Sequence, residues 1–129
     1  MRILVIDDDE HMRELLSHVI KWAGYEVMLA ENGRIAMEMQ RENPADLVIT
    51  DLIMPEQEGL ETISSLKKEY SSVKIIAISG GGRIGPEAYL PAASELGADR
   101  VFCKPFDVQE MVTAVRELLG DEKAQGSSS

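Results

Sequence analysis

Val48-Ile49-Thr50-Asp51-Leu52-Ile53-Met54-Pro55 decides how the chain is read. Its apolar beginning has the length of a strand buried on both faces, and such strands belong to parallel sheets covered by helices. Asp51 ends the strand, and Pro55 forces a turn shortly afterwards. A carboxylate at that point stands at the carboxyl tip of a strand, where open parallel sheets bind their ligands. Asp51 is therefore read as the reactive residue.

The same pattern recurs on either side. Ile3 to Ile6 is a continuous apolar run that stops at Asp7-Asp8-Asp9-Glu10, a buried strand feeding an acidic loop. Met12, Leu15, Leu16, Val19 and Ile20 then recur at helical spacing, with Gly24 as a stop. Tyr25 to Ala30 reads as the second strand, and Asn32-Gly33 turns into a helix carrying Ile35, Ala36 and Met39 that ends at Asn43-Pro44. After Asp51, Gly59 precedes a helical face of Leu60, Ile63 and Leu66.

Val73 to Ile78 is the fourth strand, ending at Ser79, and Gly80-Gly81-Gly82 opens a loop too glycine-rich to hold one conformation. A short fourth helix starting at Pro86 or Pro91 runs to Leu96, Gly97 ends it, and Val101 to Cys103 is the fifth strand, closed by Lys104-Pro105. Asp107 with Glu110 caps a last helix bearing Val108, Met111, Val112, Val115, Leu118 and Leu119. Five strands alternating with five helices imply an α/β, flavodoxin-like (βα)5 fold, doubly wound, with a five-stranded parallel sheet in the order 2-1-3-4-5. Residues 1–119 are expected to form one domain, and residues 120–129, which lack an apolar face, a disordered tail or linker.

Composition excludes several functions. At 129 residues the chain suits one domain. No apolar run is long enough to span a bilayer, and the opening run is too short for a signal peptide, so no membrane role and a cytoplasmic location are expected. A net charge of -10 without a basic patch repels nucleic acid. The lone Cys103, flanked by Phe102 and Lys104, has no disulfide partner in the chain and reads as a buried thiol.

The polar residues at the strand tips differ in type: Asp7 and Asp8 after the first strand, Asp51 after the third, Ser79 after the fourth and Lys104 after the fifth. In the order 2-1-3-4-5 the first and third tips are neighbours, so three carboxylates converge. Like charges roughly 4 Å apart repel by about 4 kcal/mol at an effective dielectric near 20, which calls for a cation. All-oxygen ligation favours Mg²⁺, with Mn²⁺ also suited, over zinc. A hydroxyl and an ammonium complete a site for the oxygens of a phosphoryl group.

These residues, with Met54-Pro55 and Pro105-Phe106, resemble the receiver domain of two-component response regulators over residues 1 to about 119. The resemblance implies that Asp51 is the phosphoacceptor, charged from a histidine kinase or histidine phosphotransfer protein. It implies Mg²⁺ held by Asp7, Asp8, Asp51 and the backbone carbonyl of Ile53. Ser79 and Lys104 would meet the phosphoryl group, and a cis peptide before Pro105 would aim Lys104.

The implied output is a switch at the fourth strand and fourth helix, passed to an unidentified effector, and a dimer formed on phosphorylation is one assembly open to it. Such a protein is a signalling switch rather than an enzyme, limited to its own phosphorylation and dephosphorylation. Two features depart from the family pattern. Val101 stands where many members carry a rotating aromatic, and the segment from Ser79 to Lys104 is a few residues longer than usual.

Simpler roles fit the remaining candidates. Asp9 and Glu10 are helix-start acids, His11 and His18 are solvated, and Trp22, Tyr25 and the methionines belong to core-like patterns. Gly80 to Gly82 lack the Gly-Lys-Ser/Thr that would make them a phosphate cradle. Three alternatives carry different chemistry. Asp7-Asp8-Asp9 would also suit a haloacid-dehalogenase-like phosphatase with Asp7 as nucleophile, although Asp51 would then be idle and no cap domain is present. A flavin-binding flavodoxin is disfavoured because three aspartates repel a flavin phosphate. The third is a receiver-like interaction module that does not switch.

Overall fold

In the computed structural model, which describes residues 1–52, 58–79 and 90–120, the elements alternate throughout. They are β1 (Arg2–Ile6), α1 (Glu10–Trp22), β2 (Glu26–Ala30), α2 (Gly33–Glu42), β3 (Leu47–Asp51), α3 (Glu58–Glu69), β4 (Lys74–Ser79), α4 (Leu90–Leu96), β5 (Arg100–Cys103) and α5 (Val108–Leu118). The strands form one parallel sheet in the order β2-β1-β3-β4-β5, as the sequence leads one to expect. The expected turn at Met54-Pro55, the Gly80–Gly82 loop with Pro86, and the tail after Gly120 lie outside the described residues.

Side-chain alternation sorts the strands' apolar residues onto two faces. Leu4, Ile6, Val48, Ile75 and Ala77 pack with Ala36 of α2, Ile63 and Leu66 of α3 and Ala93 of α4. Ile3, Val5, Leu47, Ile49, Ile76 and Ile78 pack with Leu16 and Ile20 of α1 and Met111, Ala114 and Val115 of α5. Each fully buried Leu or Ile contributes about 1.5–3 kcal/mol relative to exposure, so the three central strands, buried on both faces, fix the sheet.

Helix ends follow local chemistry. Asp9, Asn32 and Asp107 are the N-caps of α1, α2 and α5, accepting from the backbone N–H groups of His11, Ile35 and Gln109. Gly24 and Gly97 have φ of 102° and 121° just past the ends of α1 and α4, a conformation open to glycine.

Four expectations need correction. Trp22 is 83% exposed and Leu15 45% exposed, not core. The two are two helical turns apart and share a flank of α1 turned away from Leu16 and Ile20, which take the buried stripe. Cys103 is exposed rather than buried, because it ends a four-residue edge strand. Met1, read with the other methionines as part of a core-like pattern, is exposed.

Candidate functional site

Register brings the strand tips together. Ile6 pairs with Thr50, so Asp7 and Asp51 each lie one residue further along on adjacent strands. Asp51 is opposite Ile78, and Ser79 is opposite Cys103, which places Lys104 next along the chain. Asp7, Asp51 and Ser79 are all buried, whereas Asp8 is exposed.

One carboxylate oxygen from each of Asp7, Asp8 and Asp51 lies within 4.8 Å of the others. At that separation Asp7 and Asp51 repel by roughly 3 kcal/mol at an effective dielectric near 20. Lys104 answers part of this charge: its Nζ donates to Asp51 Oδ2 at 3.0 Å and lies 4.0 Å from Asp7 Oδ2. Burial would lower the Lys104 pKa, but the hydrogen bond and charge of Asp51, helped by Asp7 and Asp9, hold it above the ordinary lysine value. The Lys104-Pro105 peptide is cis.

Asp7 feels the opposite balance. Burial raises its pKa to about 6, with Asp51 and Asp8 adding repulsion, while the Asp9 N–H and Lys104 pull it down. The Asp9 N–H donates to Asp7 Oδ1 at 2.9 Å, but Asp7 Oδ2 is buried with no hydrogen-bond partner among the described residues. A buried acceptor left this way marks a place for a ligand. The donor set of three carboxylates fits a divalent, oxygen-preferring cation such as Mg²⁺ or Mn²⁺. The expected fourth ligand, the Ile53 carbonyl, lies outside the described residues.

Ser79 Oγ is likewise buried without a partner among the described residues. A hydroxyl in that state is poised to donate to an incoming oxygen. The arrangement thus combines a carboxylate held by an ammonium, a site suited to a cation beside it and, on the next strand, a hydroxyl that no described residue engages.

Of two supporting residues, Arg13 was not singled out in the sequence and Gly59 was read only as preceding a helical face. Arg13 Nη1 donates to the Asp7 backbone carbonyl at 2.7 Å, tying the first turns of α1 to the tip of β1. No local pattern marks it, because the contact depends on how α1 lies over its strand. Gly59 packs its backbone against the end of β3: a Cβ there would lie 2.6 Å from Leu52 Cα and closer still to the Asp51 carbonyl oxygen. A glycine inside a helix's first turn is the signal that could have marked it.

Asp9 and Glu10 do act as helix-start acids, and His11 and His18 are exposed, as expected. Val101 is half-buried among the cluster shared with α4, whereas Phe102, its neighbour, faces the α5 side and meets Phe106 edge to face at 6.0 Å.

Comparison with known proteins points the same way. The family model for the response regulator receiver domain matches residues 3–116. The chain is 33% identical over 119 residues to response regulator MprA of Mycolicibacterium vanbaalenii, covering 92% of this chain and 50% of that protein. It is 35% identical over 126 residues to the DNA-binding transcriptional regulator NtrC of a Bradyrhizobium species, covering 98% of this chain and 26% of that one. The chain therefore spans half or less of the length of these relatives.

Among solved structures, a response regulator receiver domain protein from Clostridium thermocellum is similar with a TM-score of 0.83 at 26% identity, over 96% of this chain and 98% of that one. The chemotaxis response regulator CheY4 of Vibrio cholerae is similar with a TM-score of 0.79 at 26% identity, over 91% of this chain and 97% of that one.

Proposed function

The chain belongs to the response regulator receiver domain family, a family of signalling modules, and from that premise we propose that Asp51 is its phosphoacceptor. The observation that carries this reading is the Asp51 carboxylate held 3.0 Å from Lys104 beside the Asp7 and Asp8 carboxylates. The donor is a phosphohistidine of a histidine kinase or histidine phosphotransfer protein. Residues 1–119 form the domain that performs the step, and residues 120–129 a linker or tail.

In that step a carboxylate oxygen of Asp51 attacks phosphorus, the bond from phosphorus to the donor nitrogen breaks, and an acyl phosphate forms. The task is one of positioning and charge stabilisation. Lys104 follows the added negative charge, moving its hydrogen bond from the carboxylate to a phosphoryl oxygen. Ser79 Oγ, without a partner among the described residues, donates to another. Asp7 and Asp8, with Asp51 and the Ile53 carbonyl, would hold Mg²⁺ or Mn²⁺, which when bound neutralises charge on the phosphoryl oxygens. Engagement of Ser79 pulls on the end of β4 and biases the packing of the β4–α4 face, where an effector reads the state.

The phosphatase reading with Asp7 as nucleophile draws no support from the geometry. Asp9, which would have to serve as its second carboxylate, is committed as the α1 N-cap. Mass spectrometry after incubation with a small acyl-phosphate donor and Mg²⁺ tests the proposal. One added phosphoryl group that persists in Asp7→Asn at high metal concentration but is absent from Asp51→Asn supports it. Label lost only in Asp7→Asn overturns it, and an unlabelled wild-type chain means a receiver-like module that does not switch.

A further inference from the structure

Thr50 is the one polar side chain in the run Leu47-Val48-Ile49-Thr50 that leads to Asp51, and it is wholly buried. Its sheet neighbours are Ile6 on β1 and Ala77 on β4, neither of which offers a polar side chain. A buried hydroxyl costs stability unless it is hydrogen-bonded, and valine would fill nearly the same space without that cost. Packing alone thus gives no reason for a hydroxyl at this position.

Thr50 Oγ1 donates to the backbone carbonyl of Asp51 at 3.2 Å. The other end of the same peptide unit is held as well: the Leu52 N–H donates to the Ile78 carbonyl at 2.8 Å. Gly59 of α3 closes on the unit from the helix side, where a Cβ would overlap the Asp51 carbonyl oxygen. The Asp51–Leu52 peptide plane is therefore fixed by a side chain, a strand and a helix together. Two parts of the site depend on it. Asp51 carries the carboxylate that Lys104 meets at 3.0 Å, and Ile78 is followed directly by Ser79.

Alternation along β3 keeps Thr50 itself away from the chemistry. Val48 packs on the side of α2, α3 and α4 and Ile49 on the side of α1 and α5, so Thr50 shares the first face and Asp51 the second. The hydroxyl acts on the carboxylate only through the backbone.

We propose that Thr50 is a positioning residue for phosphorylation: its hydroxyl sets the Asp51–Leu52 peptide plane and, through it, the aim of the Asp51 carboxylate. The inference rests on Asp51 being the phosphoacceptor. A small rotation of that peptide swings the carboxylate relative to Lys104, Asp7 and Asp8, and attack on phosphorus depends on such alignment.

The test compares Thr50→Val, which keeps the shape and loses the hydroxyl, with Thr50→Ser, which keeps the hydroxyl and loses a buried methyl. Measured in the full chain are the urea midpoint, hydrogen exchange of the Leu52 amide without metal, and the rate of phosphoryl transfer from acetyl phosphate to Asp51, with release of acetate, in excess Mg²⁺. Thr50→Val should have a midpoint no lower than wild type. Its Leu52 amide should nevertheless exchange about fivefold faster, and Asp51 should be phosphorylated about fivefold more slowly, as expected for the loss of one neutral hydrogen bond. Thr50→Ser should unfold at lower urea yet match wild type in exchange and rate. A side chain that served packing alone would give the reverse order, with Thr50→Ser the slower variant, and that result overturns the proposal. Unchanged Leu52 exchange and rate in Thr50→Val, with wild type phosphorylated on Asp51, overturns the role of Thr50 alone. A wild type that takes no phosphoryl group overturns the phosphoacceptor reading and this role with it.

Discussion

Gly59 in the first turn of α3 lies against the end of β3 so closely that a Cβ would overlap the backbone at Asp51 and Leu52. The helix and the strand that carries the candidate phosphoacceptor are thus set by one missing methyl group. Gly59→Ala must push α3 and β3 apart, and overpacking of this kind costs about 1–3 kcal/mol. The expected result is a lower urea midpoint together with slower phosphorylation of Asp51. A variant with unchanged midpoint and rate would show that the contact relaxes without consequence.

The raised pKa of Asp7 ties stability to pH. Between the ordinary 3.8 and about 6, the folded, metal-free protein keeps a proton that the unfolded chain has released. Stability therefore falls as pH rises through that window, by roughly 2–3 kcal/mol from this group. Asp7→Asn should remove this part of the slope and be more stable than wild type at pH 7 without metal. Adding Mg²⁺ should stabilise wild type and have much less effect on the variant. Chemical denaturation at several pH values, with and without Mg²⁺, reads both.

Ser79→Ala separates stability from function. The hydroxyl is buried without a partner among the described residues, so its removal should leave stability unchanged or raise it by up to about 1 kcal/mol. Yet the phosphorylated form should lose a hydrogen bond, with a weaker response at the β4–α4 face. Amide chemical shifts of β4 and α4, with and without a small acyl-phosphate donor, measure that response. A destabilised Ser79→Ala would mean that Oγ is already engaged.

Arg13 holds the loop from which Asp7 and Asp8 project. Its 2.7 Å hydrogen bond to the Asp7 carbonyl involves a charged donor, a class that contributes about 1.5–3 kcal/mol. Arg13→Gln should lower stability by part of that and weaken Mg²⁺ binding. Isothermal titration with Mg²⁺ checks the second effect, and Arg13→Lys should recover some of it. Unchanged metal affinity would confine Arg13 to a structural role.

Much of the fold was legible because it rests on short-range patterns. The runs Ile3–Ile6, Leu47–Ile49 and Ile75–Ile78 carry side chains buried on both faces, so their apolar character is continuous and each run ends abruptly at a polar tip. The order of those tips along the chain, together with the handedness of parallel crossovers, is enough to bring Asp7, Asp51, Ser79 and Lys104 to one edge. What escaped depends on how whole elements pack. Trp22 follows a helical apolar pattern, yet its flank of α1 meets nothing among the described residues that covers it. Cys103 sits in an apolar segment but on an edge strand. Arg13 reaches the Asp7 carbonyl only because of where α1 lies over β1, and no residue spacing encodes that.

The measurement that bears most directly on the central claim locates the phosphoryl group. After treatment with a small acyl-phosphate donor and Mg²⁺, borohydride reduction converts an aspartyl phosphate to the corresponding alcohol, and tandem mass spectrometry of the peptides places it. The account predicts reduction at Asp51 alone, dependent on Mg²⁺. Reduction at Asp7 or Asp8, or none at Asp51, would contradict it.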